Sequence, residues 1–283
     1  MRIALAANRA SGGGLDPEPL VAALREAGAE VTVGGCESAE LETLAASKPD
    51  RMAVAGGDGT VAAVAAVAGR IGAPLAVIPT GTANDFARAH GLPEDPVAAA
   101  RLAAAGTRVE PQELGLLADG RPFVNVASAG LASHAARRAD ALKTVLGPLA
   151  YGVGALHAAL SERPAAVTVR VDGKTAFDGG CWQVIVAITG AFGGGSGVRE
   201  ADPGDGRLDV VVIPASSRLA LARRAWGLRS QTIAQQAAVP HHIGTLVEVD
   251  LPAGTELDVD GELRDGGLAR VTVERAAFAL VVG

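Results

Sequence analysis

Three glycine-rich segments concentrate the groups of this chain that could handle a charged ligand. They are Asn8-Arg9-Ala10-Ser11-Gly12-Gly13-Gly14, Gly56-Gly57-Asp58-Gly59-Thr60 and Pro79-Thr80-Gly81-Thr82-Ala83-Asn84-Asp85. Glycine lets backbone N–H groups come close to a phosphate, and Ser and Thr hydroxyls add neutral donors. Aspartates such as Asp58 and Asp85 can hold Mg2+ through water. One such segment alone would read as a tight turn. Three of them, two with embedded carboxylates, describe a polyphosphate site. Other phosphate motifs fail: no G-x-G-x-x-G occurs, and Gly173-Lys174-Thr175 mimics the end of a P-loop whose first glycine would have to stand at Thr168.

Each segment lies between a short apolar run and a helical stretch. Ile3–Ala7, Val31–Val33, Met52–Ala55 and Leu75–Ile78 read as strands, the first of them buried on both faces. One helix begins near Asp16-Pro17 and stops at Gly28, and a second runs from Ser38 to about Ser47. A third covers Thr60–Ala68 and a fourth Ala83–His90. This alternation predicts an α/β domain, a doubly wound parallel sheet with helices on both faces. Ligands bind such sheets beyond the carboxyl ends of the strands, where all three glycine segments fall. The texture changes near residues 115–125. A helical stretch is predicted from about Ala129 to Leu160, interrupted at Gly147-Pro148. Strand-like runs follow at Val167–Val171, Trp182–Thr189, Leu208–Ile213, Leu246–Leu251, Glu256–Val259 and Val271–Val273. Asp172-Gly173 and Asp260-Gly261 mark hairpin turns. With one further helix near Ser217–Ala238, this half reads as antiparallel β.

Composition narrows the partners. The chain has 283 residues, enough for two domains, and 49% apolar residues with only 3% aromatics, so Ala, Val and Leu must fill its cores. A net charge of −6 without a basic block disfavours nucleic acid. Two cysteines, Cys36 and Cys181, make neither a disulfide framework nor a four-thiolate metal site, as suits a cytoplasmic protein. The apolar start ends at Asn8-Arg9, too short for a signal peptide. No segment approaches the ~18 apolar residues of a transmembrane helix, so a lipid would be met from solution.

Gly56-Gly57-Asp58-Gly59-Thr60 resembles the signature shared by diacylglycerol, sphingosine and ceramide kinases, NAD kinases and phosphofructokinases. Pro79-Thr80-Gly81-Thr82-Ala83-Asn84-Asp85-Phe86-Ala87-Arg88 is similar to a stretch of the lipid kinases that NAD kinases lack. Phe123–Gly130, Asp202–Val210 and Val259-Asp260-Gly261-Glu262 are similar to later blocks of the diacylglycerol kinase family in the same order, so the resemblance spans nearly the whole chain. It implies an NAD kinase-like α/β domain, residues 1–120 with a returning segment 275–283, and a C-terminal antiparallel β-sandwich domain, residues 121–274. ATP and Mg2+ would lie in the cleft between them. Asn8, Ser11 and Gly12–Gly14 would contact nucleotide. Gly56, Gly57, Asp58, Gly59 and Thr60 would approach the phosphates, with Thr80, Gly81, Thr82, Asn84 and Asp85 beside them. Glu262 would take the proton of the lipid hydroxyl, with Asp58 as its rival or as a Mg2+ holder. Asp85 and Glu113 would support Asp58 in an acidic network. The Asp205 side chain and the main-chain carbonyls of Asp202 and Arg207 would form a structural Mg2+ site.

The chain departs from the family pattern at Arg9, where Pro is usual, at Glu113, where Asp is usual, and at Val61-Ala62-Ala63-Val64, where a polar run is commoner. The expected partner is a lipid at the inner face of the membrane, visited peripherally, and a homodimer is compatible with the sequence. Two other readings share the Asp58 loop: a small-molecule kinase of the NAD kinase type and a catalytically silent nucleotide-binding regulator. Arg218, Arg223, Arg224 and Arg229 could touch anionic headgroups or form a solvated basic face. His241-His242 reads as a surface or core pair, since adjacent residues point apart and no third metal ligand is evident.

Overall fold

The computed structural model describes residues 1–130, 163–252, 254–264 and 268–283. Strands β1 (Arg2–Ala7), β2 (Glu30–Gly34), β3 (Arg51–Gly56) and β4 (Leu75–Pro79) alternate with helices α1 (Glu18–Glu26), α2 (Ser38–Ala46) and α3 (Asp58–Ile71). Then come α4 (Asp85–Ala89), α5 (Pro96–Ala105) and β5 (Arg108–Leu117). The four strands are parallel in the order β4-β3-β1-β2, with Ile3 opposite Arg51 and Val31, and Val54 opposite Val77. All residues of β3 and β4 are buried, as their unbroken apolar runs demand of strands covered on both faces. One core packs Leu41, Val54, Val64, Val77 and Phe86 on one face, and another packs Leu5, Leu24, Ile78 and Ala100 on the other. Burying each Val or Leu contributes about 1.5–3 kcal/mol; alanines contribute less, so this domain depends on many close contacts.

The second half contains β6 (Pro122–Phe123), β7 (Val126–Gly130), β8 (Ala165–Val171), β9 (Lys174–Ala187), the short pair β10 (Ala191–Phe192) and β11 (Ser196–Gly197), and β12 (Leu208–Pro214). It continues with helix α6 (Arg218–Arg229), β13 (His241–Gly244), β14 (Leu246–Asp250), β15 (Leu257–Val259), β16 (Glu262–Arg264) and β17 (Arg270–Val282). These strands pair antiparallel around a valine-rich core that includes Val169, Val184, Val210, Val247 and Val271. Strand β17 joins the halves. Its first residues pair with β14, it runs antiparallel to β5 from Val271 to Val282, and Leu280 lies parallel to Leu75 of β4.

Several expectations change. Helix α3 starts at Asp58 rather than Thr60, because Gly57 adopts the extended conformation of a helix cap. Helix α5 and strand β5 were not anticipated; Asp95 caps α5 by accepting from Ala98 N at 2.8 Å, with Pro96 in its first turn. Ala129 and Gly130 belong to β7, and the remainder of the helix expected up to Leu160 lies outside the described residues. The helix expected over Ser217–Ala238 ends at Arg229, after which Gln231 takes a positive φ of 56°. Both Asp-Gly turns form as read, with Asp172 and Asp260 at φ 50° and glycine after each also positive.

Candidate active site

The three glycine segments leave β1, β3 and β4 at one sheet edge and are stitched together there. Asn8 N donates to Ala55 O at 2.9 Å and Thr80 N to Gly56 O at 3.1 Å. Asn8 Nδ2 donates to Thr60 Oγ1 at 3.0 Å, and Ser11 Oγ to Thr80 O at 2.9 Å. The second and third loops come so close that a methyl group on Gly81 would lie 2.6 Å from Gly57 Cα. Gly12, at φ +60°, has no more room: a methyl group there would sit 2.6 Å from the Thr80 carbonyl oxygen. Only glycine fits such backbone-on-backbone approaches. Asn84, at φ 51°, spends its side chain on the third loop, accepting from Gly81 N at 2.9 Å and donating to Gly81 O at 3.0 Å. Thr82 stays exposed at the tip.

Asp58 is buried and accepts three hydrogen bonds. Its Oδ1 accepts from Phe86 N at 2.8 Å and from Asn125 Nδ2 at 3.0 Å, and its Oδ2 accepts from Asp85 N at 3.1 Å. The carboxylate thus caps the first turn of α4 and ties it to the second half of the chain. This geometry makes Asp58 a positioning residue for α4 and for Asn125. Asn125, 1% exposed, passes the link on by accepting from Thr189 Oγ1 at 2.6 Å. Asp260 accepts from the N–H groups of Val124, Asn125 and Val126 at 2.8–3.0 Å and so fastens the β15–β16 hairpin to the same strand. Burial pushes the Asp260 carboxyl up to about 7; the three N–H groups oppose the shift and the Asp58 charge adds to it. Burial also raises Asp85, whose Oδ1 accepts from Arg88 Nη2 at 2.8 Å and Oδ2 from Gly194 N at 3.1 Å.

That hairpin carries Glu262 to the glycine edge. Glu262 is exposed, pairs with Arg264, and stands over Gly59 so closely that a methyl group there would meet Glu262 Oε1 at 2.5 Å. Asn8, Arg9, Gly35, Cys36, Gly59, Thr60, Glu262 and Arg264 line an open cleft of about 690 Å3. The structure therefore brings together Asn8, Ser11, Gly12, Gly56, Gly57, Gly59, Thr60, Thr80, Gly81, Asn84 and Glu262, residues more than 200 positions apart in the chain. Sequence reasoning gave no role to Asn125 or Asp260. For Asn125 the signal was present: it is a polar residue set within an apolar run, where burial demands partners, whereas Asp260 was legible only as a turn residue.

Glu113 corrects another expectation. It does not reach Asp58; its Oε1 accepts from Gly206 N, in the loop of Asp202, Asp205 and Arg207. In that loop Asp202 Oδ1 accepts from Gly204 N at 3.0 Å, Asp202 O from Asp205 N at 3.3 Å and Asp205 Oδ1 from Arg207 N at 2.8 Å. Glu113 is 5% exposed and its Oε2 is buried without a partner. Burial raises its carboxyl to about 7, with Gly206 N–H opposing and Asp205 and Asp202 adding repulsion. An orphaned acidic oxygen beside two aspartates fits a cation at this loop, although no cluster of three or more metal-binding side chains forms among the described residues. Arg224 departs from the expected surface role, whereas His241 takes the core alternative of its two readings. Arg224 is buried, donating to Pro214 O and Ser216 Oγ, and His241 Nε2 lies 2.5 Å from the buried Asp209 Oδ1.

A glycine-lined edge of a parallel sheet, faced by a hairpin from a β domain, gives the chain an NAD kinase-like fold. Residues 2–115 match the diacylglycerol kinase catalytic domain, and residues 125–282 match the YegS C-terminal NAD kinase beta sandwich-like domain. A probable YegS-like lipid kinase of Pseudomonas aeruginosa is 35% identical over 280 residues, covering 91% of this chain and 86% of its own. A diacylglycerol kinase of Bacillus subtilis is 31% identical, covering 75% of this chain and 71% of its own. A solved diacylglycerol kinase structure from Bacillus anthracis superposes with a TM-score of 0.77 at 24% identity, over 100% of this chain and 97% of the other. The chain belongs to the diacylglycerol kinase-related, YegS-like lipid kinase family.

Proposed function

We propose that this lipid kinase moves the γ-phosphoryl group of ATP onto a hydroxyl of a diacylglycerol-like lipid in the cleft between its two halves. It would work from the cytoplasm, peripherally, at the inner face of the membrane. The observation that carries this reading is the exposed Glu262 carboxylate, which lines the cleft beside Arg264 with Oε1 directly above Gly59 at the start of α3. The N–H groups of a helix N-terminus favour a phosphate at that point. Gly57, Gly59 and Gly81 keep side chains out of its way, the Thr60 hydroxyl and the second Asn8 amide proton are donors along the same edge, and the Ser11 and Thr80 hydroxyls hold the loops together. When bound, Mg2+ neutralises the charge that builds on the transferred group. The acidic loop at Asp202, Asp205 and Arg207 is a structural cation site in this reading, with Glu113 beside it. Glu262 accepts the hydroxyl proton, a role that contributes about 10²–10⁴-fold to the rate. Asp260 holds Glu262 in place by anchoring its hairpin.

Incubation with labelled ATP and a lipid panel, followed by chromatography of the organic phase, tests the proposal. We expect label in one lipid, lost in Glu262→Gln while the nucleotide still binds. Label on a nicotinamide dinucleotide, or ATP bound with no acceptor turned over, would instead support one of the two competing readings.

A further inference from the structure

Helix α6 reads Arg-Leu-Ala-Leu-Ala-Arg-Arg-Ala-Trp-Gly-Leu-Arg, with four arginines and no acidic residue in a chain of net charge −6. Its inward face buries Leu221, Arg224 and Gly227. Leu219 and Trp226, seven residues apart and therefore on one stripe, are 84% and 72% exposed, the most exposed large apolar side chains among the described residues. Exposed Arg223 lies between them, and exposed Arg218 and Arg229 flank the stripe. A core has no use for a tryptophan in this position, and a soluble surface rarely leaves one so bare beside a leucine. The helix also connects with the active site. Arg229 Nη1 donates to Gly194 O at 3.3 Å, Gly194 N donates to Asp85 Oδ2 at 3.1 Å, and Asp85 N is held by Asp58.

We infer that the Leu219–Arg223–Trp226 face of α6 is a docking surface for an anionic lipid bilayer, resting on the lipid kinase reading for why the enzyme must reach one. The side chains match that occupant. Tryptophan and leucine partition into the headgroup boundary, and each arginine near an anionic leaflet strengthens binding about fivefold. A second copy of the chain fits worse, since a two-fold contact would set one arginine-rich helix against another.

Sedimentation of the full chain with vesicles of phosphatidylcholine, with or without phosphatidylserine, which is anionic but has no hydroxyl, tests this with neither ATP nor substrate lipid present. Binding to the anionic vesicles is expected, together with a blue shift of tryptophan emission and quenching by brominated acyl chains. Trp182, only 7% exposed, gives an unchanging background. Trp226→Ala removes the quenched signal, and Leu219→Asp/Arg223→Glu weakens binding at least tenfold, with unchanged thermal unfolding showing that the fold survives. Undiminished binding by the double variant, or binding without quenching of Trp226, overturns the inference. So does a concentration-dependent dimer abolished by Trp226→Ala, which would assign the face to a second copy. Vesicle binding as expected with no lipid phosphorylated would leave α6 docking intact and refute only the kinase proposal.

Discussion

At the scale of single residues, two carboxylates at the glycine edge have opposite duties. Asp58 accepts three hydrogen bonds inside the protein, whereas Glu262 is exposed above Gly59. Asp58→Ala strands two backbone N–H groups and the Asn125 amide, so we expect a loss of about 2–4 kcal/mol in chemical denaturation together with loss of activity. Glu262→Gln should leave the unfolding free energy within about 0.5 kcal/mol of the parent and remove turnover, because a surface side chain supports no buried partner. Equal stability losses in the two variants would show that this division is wrong. Asn125→Ala belongs with Asp58: it removes one of the two donors to Asp58 Oδ1 and the acceptor of the Thr189 hydroxyl, and should cost about 1–3 kcal/mol.

At the scale of elements, the site is made by loops that approach one another backbone to backbone. Gly81→Ala forces a methyl group to within 2.6 Å of Gly57 Cα, so the third loop must move away from the second. We expect nucleotide affinity, measured by titration calorimetry, to fall at least tenfold; unchanged affinity would mean that the ligand does not use this junction. Most of this architecture was legible from sequence, because β1, β3 and β4 are unbroken apolar runs that end in glycine loops. Helix α5 was not, since in Pro96–Ala105 alanine dominates and gives almost no hydrophobic periodicity to read. Strand β5 was missed for a different reason. Arg108, Glu110 and Gln112 interrupt its apolar residues, and its partner β17 lies more than 150 positions away. The Glu113 assignment failed on the same ground: sequence order does not reveal that Gly206, rather than Asp58, stands beside it.

At the scale of the whole molecule, burial of two carboxyls makes stability depend on pH. Glu113 and Asp260 rise from ordinary values of 4.5 and 3.8 to about 7 in the folded protein. The native state therefore binds more protons than the unfolded chain between about pH 4 and 7, and stability falls as pH rises through that window. In the presence of a chelator, unfolding free energy should drop by on the order of 2 kcal/mol across it, and Glu113→Gln should flatten the curve. A curve that climbs with pH in both proteins would contradict this. Strand β17 has a consequence for biosynthesis. It pairs with both β4 and β5, yet it follows every other described element in the chain. A nascent polypeptide emerging from the ribosome must carry β4 with an open hydrogen-bonding flank, and β5 without its main partner, until residues 270–282 appear. The glycine-loop half thus cannot mature co-translationally as a finished unit, and during that interval its bare edges are natural targets for a holding chaperone.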